Sequence, residues 1–221
     1  MRRLLVLVVN VALASSHFCQ AQEVKSGRED AAAREAMTDL LRKVPFSGSL
    51  EYSGECGPQQ PPILPSIRSR SEVPKTQLLL KLRDMFADHP KMRVTQEADR
   101  QIRILESGVP RDVLKVRIRR VSFDDVYDVI AAQKSITSQP EVQSFMKANE
   151  INSHLSRFGY GIGLRQQPEP GLPHISATLE NVTVRQALDR LLKPFPGIWV
   201  YENCPDPKGG RIVAFDYLRS F

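Results

Sequence analysis

Between His174 and Tyr217 the spacing of apolar positions changes from alternating to helical and back, and this predicts strands around a single helix. Ile175, Ala177 and Leu179 alternate, as on the inner face of a strand. Val184, Ala187, Leu188, Leu191 and Leu192 then fall at i, i+3, i+4, i+7 and i+8, an apolar stripe along a helix. Thr183-Val184-Arg185-Gln186 has the spacing of a capping box, in which the threonine oxygen accepts an early helical N–H and the glutamine reaches back. Pro194 and Pro196 stop the helix. Gly197 to Cys204 reads as a strand carrying Ile198, Trp199, Val200 and Tyr201; Pro205 to Gly210 turns, and Ile212 to Tyr217 returns.

The first half echoes this order more faintly. Residues 22–45 form a polar segment in which Ala36, Leu40 and Leu41 share one face of a short helix. Phe46, Leu50, Tyr52 and Cys56 share one parity of a strand over 46–56. The prolines at 58, 61, 62 and 65 make a loop. A helix over 75–88 presents Leu78, Leu79, Leu82, Met85 and Phe86, and segments around 92–96 and 101–106 alternate as a hairpin. Leu114, Val116 and Ile118 point inward from a further strand, with Lys115, Arg117 and Arg119 outward. Ser122-Phe123-Asp124-Asp125 has the spacing of a helix start, and Pro140 opens another helix. The expected class is α+β: small, mostly antiparallel sheets, helices on one face, and a βαββ module at 174–221. An α+β region at 46–165 is joined to that module by the Pro-rich linker 166–173.

Residues 1–21 change the picture. Met1-Arg2-Arg3, an apolar run from Leu4 to Ala14, and small residues at Cys19 and Ala21 make a secretory signal peptide, so the expected location is periplasmic or secreted. The apolar run is shorter than the ~20 residues a spanning helix needs, and no later run reaches that length. Of the 221 residues, about 200 remain after cleavage, enough for one or two small domains. Losing Arg2 and Arg3 lowers the net charge from +6 to +4, which does not mark a nucleic-acid binder. Cys56 and Cys204 remain, and in an oxidising compartment they are expected to form one disulfide. That bridge would close a loop of nearly 150 residues, worth on the order of 4–5 kcal/mol in the chain-entropy account.

The run from His174 to Leu192, with its alternating strand, Asn181-Val182-Thr183 turn and Ala187-Leu188…Leu191-Leu192 helix, resembles the short N-terminal domain of secretins and TonB-dependent receptors. Gly197-Ile198-Trp199-Val200-Tyr201 and Arg211-Ile212-Val213 fit the hairpin of that domain. The resemblance covers about a fifth of the chain and implies an interaction domain of the bacterial envelope. No β-barrel or secretin ring domain follows, so pore and transport functions are not implied.

Catalytic chemistry finds little support. Gly159-Tyr160-Gly161-Ile162-Gly163 runs into the proline-rich segment, where no helix can follow to hold a phosphate, and reads as a Gly-rich strand or turn. His89, His154 and His174 lack metal-ligand spacing, there is no Gly-x-Ser-x-Gly elbow, and nothing pairs Glu169 with Asp124 or Asp125. No catalytic residue, metal or cofactor is expected. Lys115, Arg117 and Arg119 are a candidate patch for an anionic partner, against the plainer reading of a solvated strand face. Trp199 and Tyr201 are candidate interaction anchors if exposed, and core if a helix covers them. The expected function is a non-catalytic exported protein that binds an envelope protein by strand addition at 197–204 or 211–217. The alternatives are an exported hydrolase with a site assembled from scattered residues, and a protein binding a polyanion or cell-wall polymer.

Overall fold

A computed structural model describes residues 31–44, 46–54, 64–68, 73–74, 76–97, 101–155, 171–206 and 209–219. In chain order these form α1 (31–43), β1 (Ser47–Tyr52), α2 (Leu78–Met85), β2 (Met92–Gln96), β3 (Gln101–Glu106), α3 (Asp112–Lys115), β4 (Arg117–Val126), α4 (Val129–Thr137), α5 (Pro140–Ala148), β5 (Ile151–Leu155), β6 (Ile175–Thr183), α6 (Val184–Leu191), β7 (Gly197–Pro205) and β8 (Arg211–Arg219). The class is α+β. A six-stranded mixed sheet has the order β2-β3-β1-β7-β8-β5, and β4 and β6 form a separate antiparallel ribbon. In the large sheet β1 runs parallel to both β3 and β7, and β5 runs parallel to β8; β2–β3 and β7–β8 are antiparallel.

β7 and β8 are buried along nearly their whole length, at both parities, so each needs cover on both faces. Ile198, Val200 and Leu218 join a core with Leu50, Ile102, Ile104, Met37 and Leu41 of α1, and Leu82 and Met85 of α2. Trp199, Tyr201, Val213 and Phe215 face the other way, into a core built from α3 to α6 and the β4–β6 ribbon. The helices expected on one face therefore lie on both.

The arrangement follows from a repeat. β1-α2-β2-β3 gives the order β2-β3-β1, with the first strand parallel to the last of the hairpin. β5, α6, β7 and β8 give β7-β8-β5 with the same relations. The second unit runs in the opposite direction, because β1 and β7 are parallel. With crossovers of the usual right hand, reversing the strands moves the helix to the opposite face, where α6 lies relative to α2. The strand of the second unit equivalent to β1 is β5, while β6 leaves the sheet to pair with β4.

Two further expectations are corrected. Lys115 closes the short helix α3 rather than sitting in a strand, and the strand begins at Arg117. Ser122–Asp125 continues β4 instead of starting a helix: Val121 and Phe123 are buried in alternation, Ser122 pairs with Thr178, and the helix is capped later, by Asp128 accepting from the Ile130 N–H. The turn at Asp125, with φ 44°, sits at a bulge in this ribbon. Segments on either side of 166–173 are joined by strand pairing: β6 to β4, β7 to β1 and β8 to β5. Among the described residues no helix is long and apolar enough to cross a membrane.

Candidate interaction surface

Ser49, Glu51 and Arg103 share the sheet face that carries Trp199 and Tyr201, since Ser49 registers with both Arg103 and Trp199 and Glu51 with Tyr201. Glu51 is 0% exposed, and a carboxylate in that position requires close counter-charges. Arg185 of α6 supplies a bidentate pair at 2.6 and 2.7 Å, Arg111 donates Nε at 2.6 Å, and the Ser49 hydroxyl donates at 3.1 Å. Beside it, Arg103 bonds Asp189 at 2.8 Å and Glu97 at 2.9 Å, and the Trp199 indole N–H donates to Asp189 at 2.9 Å. Burial lowers the affinity of the Arg103 guanidinium for its proton, but Asp189 and Glu97 outweigh that and hold its pKa above the ordinary value. The guanidiniums of Arg103 and Arg185 also lie 5.9 and 5.7 Å from the Trp199 ring. This cluster locks the two units together with its charges matched. Arg34 of α1, paired with Asp216 at 2.5 Å, makes a similar link on the opposite face.

Trp199 and Tyr201 are 0% exposed. The Tyr201 hydroxyl donates to the Pro110 carbonyl at 3.1 Å, and burial raises its pKa. Both residues are core because α6 and the 109–114 segment cover them, so neither is available as a surface anchor.

The basic trio is exposed but partly engaged. The Arg119 side chain, 88% exposed, bonds Glu141 of α5 at 2.8 Å, and Arg117 donates to the Asn181 carbonyl and side-chain oxygens at 2.9 and 3.0 Å. Lys115 lies on the adjoining helix rather than in line with them. Cys204 is buried at the end of β7 with its sulfur 3.6 Å from the Ile212 carbonyl oxygen, and Cys56 lies outside the described residues, as do Gly159–Gly163 and Glu169.

A serine, a histidine and an acid do meet at the ribbon bulge. Ser176 donates to the Asp125 carboxylate and accepts the Asp125 N–H at 3.1 Å; His174 approaches the same carboxylate at 3.9 Å and stacks on Tyr127. Both side chains converge on Asp125, so no serine–histidine–acid relay forms, and the group lies in the open. Among the described residues no three or more His, Cys, Asp and Glu side chains are grouped to hold a metal.

Strand edges remain. β7 and β8 are interior strands, flanked by β1 and β8 and by β7 and β5, so neither expected docking strand is an edge. What sequence could not locate is β1, which reaches β7 from about 150 residues upstream and fills the place expected for a partner. Among the described residues the strands with one neighbour are β2, β5, β4 and β6. Val184 N–H donates to Val116 O, so the even residues of β4 and β6 face each other and the odd ones turn outward. On β4 the outward Arg119 N–H is met by Glu141. On β2 the outward Val94 carbonyl accepts from Arg83 at 3.4 Å. On β6 the outward main-chain groups of Ala177 and Leu179 have no partner among the described residues, and the alternate residues Ser176, Thr178 and Glu180 are exposed. Comparison with family models, curated proteins and solved structures finds no match.

Proposed function

We propose that this is a non-catalytic exported protein that binds an envelope protein by accepting a partner strand along the outer edge of β6. The observation that carries the reading is the Ala177–Leu179 edge, unpartnered among the described residues, whereas Glu141 meets the outward Arg119 N–H on β4. Main-chain bonds would supply affinity, and exposed Thr178 and Glu180 would contribute selectivity. The resemblance of the 174–192 stretch to an envelope interaction module supports the same direction, and the run Leu4–Ala14 with Ala21 supports export. A disulfide between Cys56 and Cys204 belongs to this reading.

The test is crosslinking in the native envelope with a photoreactive residue at Thr178, followed by mass spectrometry. One recurrent protein partner is expected, lost in Ala177→Pro, which removes an outward N–H and leaves the β4 pairing intact. Absence of a recurrent partner, or capture that survives Ala177→Pro in a folded protein, rejects the edge. N-terminal sequencing of the envelope protein should begin at Gln22, and a denatured sample should expose two thiols only after reduction.

A further inference from the structure

The repeat in the large sheet has a direction. Its two units, β2-β3-β1 and β7-β8-β5, meet where the last strand of the first, β1, runs parallel to the first strand of the second, β7. The same two positions recur at the ends of the sheet, where no described strand fills them. β5 ends the second unit as β1 ends the first, and β2 begins the first unit as β7 begins the second. We propose that a second copy of this chain continues the sheet head to tail, its β2 pairing in parallel with β5 as β7 pairs with β1 inside the chain.

The directions agree. With β1 and β7 pointing one way, β8, β5 and β2 all point the other. A copy in the same orientation therefore brings its β2 parallel to β5, the relation already present at the internal junction. The lengths agree as well: β2 and β5 have five residues each, and the β1–β7 junction has five registered pairs.

Among the described residues, little occupies the outward main chain at either end of the sheet. Arg211 N–H donates to Glu150 O, which turns the even residues of β5 toward β8 and leaves the N–H and C=O groups of Ile151, Ser153 and Leu155 facing out. On β2 the bonds Ser107 N–H to Lys91 O and Glu97 N–H to Gln101 O turn the odd residues toward β3, so Val94 and Gln96 face out. The Arg83 contact to Val94 O, at 3.4 Å, is long enough to be exchanged for a strand bond. Ile151–Leu155 contains no Lys, Arg, Asp, Glu or Pro, the residues with which proteins usually blunt an edge. Two different surfaces meet in this contact, so it propagates instead of closing on itself. The β6 edge takes no part, so this inference stands or falls separately from the partner-binding reading.

Sedimentation velocity of the full mature chain over a concentration series tests it. Species that grow beyond a dimer with concentration are expected. Ser153→Pro and Gln96→Pro each delete one outward N–H, on β5 and β2, and spare the existing pairs. Each variant alone is expected to be monomeric, and an equimolar mixture to form a one-to-one dimer, since each keeps the edge the other lacks. Wild-type protein that stays monomeric throughout overturns the proposal. So does self-association of Gln96→Pro alone, which would mean β5 pairing with β5. Hydrogen exchange on the wild type keeps the test independent of how the proline variants fold. The Ser153, Val94 and Gln96 amides should gain protection only at high concentration, and unchanged exchange there overturns the proposal.

Discussion

Glu51 sets the terms at the scale of single residues. Its charge is tolerable in the interior only because Arg111 and Arg185 reach it from 60 and 134 residues away. Glu51→Gln should lower stability by about 3 kcal/mol in urea melts, the low end for a broken buried pair, because both arginines keep some contact with water. Trp199 is the chain's single tryptophan, so its buried indole reports this unfolding directly; Trp199→Phe, which removes the bond to Asp189, should cost about 1 kcal/mol. Asp112 offers a pH signature. Arg211, bonded to it at 3.0 and 2.5 Å, holds its carboxyl below the ordinary 3.8. Its stabilisation is then complete above that value and fades as the pH falls through the lower folded one. Wild type should therefore exceed Arg211→Gln in urea midpoint at neutral pH, and the gap should close in strong acid. None of these contacts was legible in sequence. The alternation at 46–56 put Leu50 and Tyr52 inward and so implied an outward Glu51, since period-two spacing cannot reveal a strand covered on both faces.

Single elements were more legible where local chemistry decided them. The capping box of α6 is present in full: Thr183 Oγ1 accepts the Gln186 N–H at 3.2 Å, and Gln186 Oε1 accepts the Thr183 N–H at 2.8 Å. Thr183→Ala should cost about 1 kcal/mol, measured by chemical denaturation. The α6 stripe is likewise buried where its spacing placed it, at Val184, Ala187, Leu188, Leu191 and Leu192. Elements fixed by distant partners were misread. The acids at Asp124 and Asp125 suggested a helix start, but pairing with β6 keeps the segment extended through the bulge. Gly48 shows how closely strands can approach: a Cβ there would fall 1.7 Å from the Ile102 carbonyl oxygen. Gly48→Ala must push β1 away from β3, and a loss on the order of 3 kcal/mol is expected in the same melts.

For the whole molecule, class was readable and connectivity was not. Apolar spacing shows that β7 and β8 are strands, but whether a strand is an edge depends on which other strand comes to lie beside it. Here those neighbours are β1 and β5, which no local pattern could assign to them. The faint echo between the halves was real, yet its first strand in the second unit is β5, since the residues after Ile175 build the ribbon instead. The central position of β1 also governs how this chain can fold. Gly48 pairs with Ile102, but it also pairs with Ile198, a residue made 150 positions later. Contacts that far apart are slow to form, because most of the chain must be ordered before they close. During synthesis the unit around β1 can assemble first, but its open side must wait for nearly the last hairpin to appear. Until then the flank of β1 that will receive β7 is a bare strand edge with unpaired main-chain groups. The nascent protein is therefore most exposed to misassociation in the interval before its own C-terminal hairpin arrives.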